Sequence, residues 1–185
     1  MVYLTAALVL VGAVSAVNLV LVMGILQRLR QTAAAPRPRG QQSPPTLLPA
    51  GKMPAPFDAV TDEGEPVSRE SVLGGLVGFF TPQCGACRER MPDFLAYAVR
   101  GGFDRSQVLA VLIGEPDEVT EMRAELAPVA RIVREPHGGA AVHKAFEVYG
   151  LPAYCLLDRD GAVVASGSEM IDFPALEGSG TGRGR

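Results

Sequence analysis

The chain has 185 residues, a net charge of −3, and 48% hydrophobic against 20% charged residues. That suits one modest domain plus a further segment, and the acidic balance excludes a nucleic-acid interface built on phosphate neutralisation. Three cysteines (Cys84, Cys87 and Cys155) are too few for a disulfide-stapled secreted scaffold.

Residues 2–26 carry no charged side chain and only Thr5, Ser15 and Asn18 as polar interruptions. At ~1.5 Å per residue such a run spans a hydrocarbon core of about 30 Å, so residues 1–30 read as a single-pass anchor. Val14-Ser15-Ala16 resembles a signal-peptide cleavage site. However, no basic residue precedes the apolar run, and it continues well past Ala16, which favours retention. Arg28, Arg30, Arg37 and Arg39 follow the span, and this bias places the remainder in the cytoplasm; long domains also cross regardless of charge.

Residues 31–52 are rich in Pro and small or polar residues and read as a linker. Two short extended stretches, around Phe57–Val60 and Pro66–Ser68, flank Asp62-Glu63-Gly64-Glu65 and predict a hairpin. Leu76–Phe80 is a buried strand. Cys87–Val99 is a helix with Cys87, Met91, Phe94, Leu95 and Ala98 inward and Pro92 inside it. Val108–Ile113 is a second buried strand, Asp117–Leu126 a helix, and Ala130–Val133 a short strand. Gly139–Tyr149 reads as a helix with Val142, Ala145, Phe146 and Tyr149 inward. Ala153–Leu157 and Val163–Ala165 are strands joined at Asp158-Arg159-Asp160-Gly161. Strands alternating with helices predict an α/β sandwich around a mixed sheet, over residues 53–176. The Gly-rich tail, 177–185, reads as disordered.

The chemistry concentrates at Phe79-Phe80-Thr81-Pro82-Gln83-Cys84-Gly85-Ala86-Cys87. A Cys-x-x-Cys pair stands where a strand gives way to a helix. The helix start stabilises negative charge, and the thiolate is the form that attacks a disulfide. Cys84 is then the exposed nucleophile. Cys87, one turn on, resolves the mixed disulfide. A zinc site would have to recruit His137 and His143, about fifty residues further on, far from the usual ligand spacing. Cys155, within a strand, reads as a small buried hydrophobe. His143 reads as a surface or half-buried helical residue, and Glu115, Asp117 and Glu118 as charges at a helix start.

A second motif, Gly150-Leu151-Pro152 before a terminal hairpin, lies about 65 residues beyond the first. Together with Pro92, five residues past Cys87, the two motifs in this order resemble the thioredoxin fold over about residues 53–175. The anchor, linker and N-terminal hairpin are similar to the membrane-anchored TlpA/ResA group, and the wording before Cys84 resembles MauD-type proteins. The resemblance implies a thioredoxin-like sandwich with a cis Pro152 beside Cys84. Leu151 would then offer backbone groups to an extended substrate. The implied activity is thiol–disulfide exchange with protein substrates and an electron-exchange partner. It needs no metal or organic cofactor, and the domain would lie outside the cytoplasm.

Departures from the pattern are also visible. Gln83 stands where Trp is usual, Ala86 where Pro is common, and Arg90 where a Glu is frequent. Gly78 stands where many thioredoxins have a buried Asp. Arg88 and Arg90 would favour a thiolate, and Glu89 is the remaining carboxylate near the pair. A peroxide-reducing redoxin is the alternative enzyme, although the Pro-x-x-x-Thr/Ser-x-x-Cys pattern of peroxiredoxins is absent. A non-catalytic binding module on the same fold is the third reading, against which both cysteines count.

Overall fold

The computed structural model describes residues 46–175, together with Gly12, Ser15, Asn18, Leu19 and Met23, which are helical and exposed. The chain divides into two units, residues 1–42 and 43–185. The anchor reading of residues 2–26, most of the linker and the 177–185 tail lie outside the described residues. Among the described residues no helix is long and apolar enough to cross a membrane.

Within residues 46–175, seven strands and three α-helices follow the predicted order. β1 (Asp58–Val60) and β2 (Pro66–Ser68) form the antiparallel hairpin. The main sheet contains β3 (Leu76–Phe80), β4 (Val108–Ile113), β5 (Arg131–Glu135), β6 (Ala153–Leu157) and β7 (Val163–Gly167). Its spatial order is β5-β4-β3-β6-β7. β3, β4 and β5 are parallel; β6 runs antiparallel to β3, and β7 antiparallel to β6. The helices are α1 (Gly85–Arg100), α2 (Thr120–Leu126) and α3 (Ala141–Ala145).

β3 and β4 are buried at every residue, which explains why they read as unbroken apolar runs rather than alternating ones. Side chains then divide by parity between two cores. Leu76, Phe80, Ala110, Leu112, Ile132 and Tyr154 pack with α1 and α2 on one face. Val77, Phe79, Val111, Val133 and Cys155 pack with α3, Phe57 and Val67 on the other.

Several elements differ from the sequence reading. α2 begins at Thr120, not Asp117, because Glu115–Val119 forms turns in which the Glu118 and Val119 N–H groups donate to the Glu115 carbonyl. β5 extends to Glu135, whose carboxylate is buried and accepts the backbone N–H groups of Ala140, Val142 and His143 at 2.7–3.1 Å. Glu135 thereby fixes the start of α3, which is far shorter than the predicted Gly139–Tyr149 helix. The chain leaves helical geometry at Phe146, and Glu147 takes a positive φ of 49°. Tyr149, expected inward, is 72% exposed; Val148 is buried in its place. In α1 the buried residue is Tyr97, while Leu95 is only half-buried.

Leu47 and Leu48, placed by composition in the linker, are buried in the α3-side core. Leu48 N–H donates to the Phe146 carbonyl, and the Thr46 carbonyl accepts from Tyr149 and Gly150 N–H. The Pro-rich composition upstream hid this two-leucine strap. At the other end a 3₁₀ turn, Met170–Asp172, carries the chain across, and Met170 and Phe173 complete the α1-side core.

Gly78, in the middle of β3, faces α1. A Cβ there would lie 2.7–2.9 Å from ring carbons of Phe94 and Phe80. Gly78→Ala is therefore expected to lower stability by about 1–3 kcal/mol through overpacking, as read from denaturant unfolding. Gly78→Asp should cost more, because it adds a buried carboxylate without a partner.

Candidate functional site

β3 ends at Phe80 and the chain turns through Thr81–Gln83 into α1. A helix start has backbone donors without intrahelical acceptors, and Cys84 occupies the capping position. Its Sγ accepts the Cys87 N–H at 3.3 Å. A donor aimed at the sulfur favours negative charge there, in the manner of a Ser or Asp cap. Cys84 is half-buried, whereas Cys87 is wholly enclosed, with 0% exposure. The two thiols thus have unequal access to a partner.

Across the cleft lies the Leu151–Pro152 peptide, which is cis. The Cys84 thiol donates to the Leu151 carbonyl at 3.6 Å. Residues 67 apart in sequence are brought together here because β6 pairs antiparallel with β3, with Phe79 opposite Ala153. Leu151 is half-buried and contacts both cores; Pro152 is buried.

Burial pushes the Cys87 thiol up to about 12; its contact with Cys84 acts in the same direction, and the Thr81 backbone and, more weakly, Arg90 oppose. Among the three expected tuning residues, Arg90 bears on Cys87 in this way. Its guanidinium reaches across to Glu169 Oε1 at 2.9 Å and the Ser168 carbonyl at 3.2 Å. Arg88 and Glu89 are exposed on α1, where helical positions one and two past Cys87 point away from it. Cys155 is buried on the opposite face of the sheet, its thiol raised further by burial alone. His137 Nε2 lies 2.9 Å from Glu118 Oε2, and His143 is half-buried on α3. Among the described residues no cluster of three or more His, Cys, Asp or Glu is placed to hold a metal ion.

Two residues near the pair escaped the sequence reading. Glu169 partners Arg90 from 79 positions away, with no local signal. Tyr154 is fully buried on the α1 side, with no signal in the sequence for its depth.

The chain is similar in fold to several solved structures. The thioredoxin domain of a thiol-disulfide oxidoreductase from Bacteroides vulgatus matches with a TM-score of 0.54, at 20% identity, over 68% of this chain and 92% of that one. A thio-disulfide isomerase from Thermus thermophilus gives 0.52 at 21% identity, over 65% and 86%. A thiol:disulfide interchange protein from a Bacteroides species gives 0.50 at 22%, over 64% and 81%. The fold is thioredoxin-like. No protein-family model matches the sequence, and no curated protein matches it.

The thioredoxin-like site orders the reactivity of its thiols. In the native, reduced protein an alkylating reagent at neutral pH should modify Cys84, leaving Cys87 and Cys155 until the chain is unfolded. Mass spectrometry of the labelled peptides reads this, and a Cys155 as reactive as Cys84 would refute it. A pH dependence also follows. The folded state holds the Cys87 proton up to about 12, whereas an unfolded thiol releases it near 9. Above pH 9 the unfolded chain therefore binds fewer protons, and stability falls as pH rises through this window; below it this group has no effect. Denaturant midpoints at stepped pH should show the fall, and Cys87→Ala should lessen it, the remainder coming from buried Cys155.

Proposed function

We propose that this chain is a thiol–disulfide oxidoreductase acting on protein disulfides, with Cys84 as nucleophile and Cys87 as resolving thiol. The observation that carries the reading is the Cys84 sulfur at the start of α1, half-buried, bonded to the Cys87 N–H and facing the Leu151 carbonyl before Pro152. This combination supplies an accessible, charge-stabilised sulfur. It also supplies a shielded second sulfur one turn away and an irregular backbone edge beside them. An extended substrate segment would lie along that edge, with Leu151 and Pro152 shaping it. The structural neighbours described above, a thiol-disulfide oxidoreductase, a thio-disulfide isomerase and a thiol:disulfide interchange protein, support this reading.

The finer reading is a TlpA/ResA-type, MauD-like redoxin held at the membrane by residues 2–26. It rests on the uncharged apolar run and on the hairpin ahead of β3. The domain serves protein thiols near the membrane surface, and an electron-exchange partner restores the pair after each turnover.

Mutation separates the two thiols. Cys87→Ser keeps the attacking sulfur and removes the resolver, so mixed disulfides with substrates should accumulate on non-reducing gels. Cys84→Ser should trap nothing. Equal trapping by both variants would remove Cys84 from the nucleophile's role, and peroxide turnover without any disulfide substrate would favour a peroxidase instead.

The anchor is tested by fractionation. Intact protein should sediment with membranes, and a soluble form beginning at Val17 would establish a cleaved signal peptide. Protease added to intact cells reports the side: digestion of the domain places it outside, protection places it in the cytoplasm.

A further inference from the structure

Between α3 and β6, residues 146–152 lie outside any helix or strand. This stretch carries Leu151, whose carbonyl faces Cys84 Sγ at 3.6 Å. From Ala153 onward the backbone is fixed by the ladder to β3, with Ala153 opposite Phe79. On the other side of Leu151 stands Gly150, the residue type with the widest backbone freedom. Left to itself the peptide before Leu151 would sample many orientations. The group that holds it is remote in sequence. The Tyr149 N–H donates to the Thr46 carbonyl at 2.8 Å, and the Gly150 N–H to the same oxygen at 3.3 Å. Thr46 in turn opens a segment that is pinned along its length. Leu47 and Leu48 are buried in the α3-side core, against which Leu151 also packs. The Leu48 N–H donates to the Phe146 carbonyl at 3.0 Å, and the Ala55 N–H to the Ala145 carbonyl at 3.1 Å. Leu151 is therefore held from two sides, by the β3 ladder after it and by Thr46 before it.

We propose that Thr46 is a positioning residue for substrate: its carbonyl, anchored by Leu47 and Leu48, holds the Tyr149–Gly150 backbone so that the edge at Leu151 is set before a disulfide-bearing peptide arrives. The proposal rests on the disulfide-exchange reading. A segment recognised through backbone groups binds better to an edge already in place, because ordering that edge on binding subtracts from affinity. With the clamp open, only a fraction of the molecules presents the edge, and apparent affinity falls by that fraction. The nucleophile does not share this dependence, since Cys84 is held by its own contact with the Cys87 N–H. The strap thus acts on recognition and leaves attack alone. A small disulfide that needs only Cys84 and a peptide disulfide that lies along the edge separate the two.

Leu47→Asp releases the anchor by placing a charge in the core. The full-length reduced chain is assayed with dithionitrobenzoate as the small disulfide. Insulin serves as the peptide disulfide, with dithiothreitol restoring the cysteine pair. In the variant the KM for insulin should rise about fivefold, as expected when about one molecule in five presents the edge. The kcat and the dithionitrobenzoate rate should stay within about twofold of wild type, as the population argument requires. Hydrogen exchange at the Tyr149 and Gly150 amides should quicken. Val67→Ala, which trims the same core from the hairpin, should melt lower with KM and that exchange unchanged. A wild-type KM in Leu47→Asp overturns the proposal, and so does a rise without faster exchange at those two amides. An equal rise in Val67→Ala also overturns it, by making the effect a general loss of stability. If Leu47→Asp does not fold, Leu47→Ala takes its place under the same criteria. In the wild type, Tyr149 and Gly150 amides that exchange as fast as an open loop would remove the clamp outright. A wild-type Cys84 that reacts with neither disulfide would instead overturn the exchange reading itself.

Discussion

The hydrogen bond from the Cys87 N–H to Cys84 Sγ is the contact on which the site depends. It exists because β3, buried on both faces, ends abruptly and hands the chain to a helix whose first donors need acceptors. A serine or aspartate would serve as well for capping alone. With cysteine there, the bond that starts α1 also aims a backbone donor at a sulfur, the arrangement on which the proposed role of Cys84 rests. Everything else in the site is arranged around that sulfur: the Leu151 carbonyl across the cleft and the enclosed Cys87 one turn along.

Much of this was legible in the residues. β3 and β4 were readable to their last residue because central strands buried on both faces are continuous apolar runs. The Cys-x-x-Cys pair and Pro152 were readable because their spacing to strands and turns is local. What was hidden was non-local. The Glu135 carboxylate that ends β5 and starts α3 looks like an ordinary surface charge until its three N–H donors are assembled. The Leu47–Leu48 strap is masked by Pro-rich neighbours, and burial comes from Phe146 and its surroundings rather than from any pattern of its own. Tyr149 fits a helical period, but the helix has already stopped.

The space between sheet and α1 is filled by rings. Phe80, Phe94, Tyr154, Phe173 and Tyr97 make a connected set with centroids 5.3–6.5 Å apart. Phe173, brought in by the 3₁₀ turn, closes this set. An apolar surround of this kind keeps water from the Cys87 sulfur and holds it as a thiol. Such a surround is opposed by few groups: the Thr81 backbone and Arg90, the latter tied to Glu169 and Ser168.

The glycine in the middle of β3 bears on how such a site can change over descent. A carboxylate beneath the cysteines and a tight aromatic filling compete for one volume, since the nearest ring carbon stands 2.7 Å from where the new Cβ would be. The two solutions are therefore epistatic. A lineage moving from the ring-filled arrangement to a carboxylate must first trim Phe94 or Phe80, accepting a cavity. One moving the other way must lose the acid before the rings can grow. The order of substitutions is constrained by sterics before selection on redox behaviour has anything to act upon.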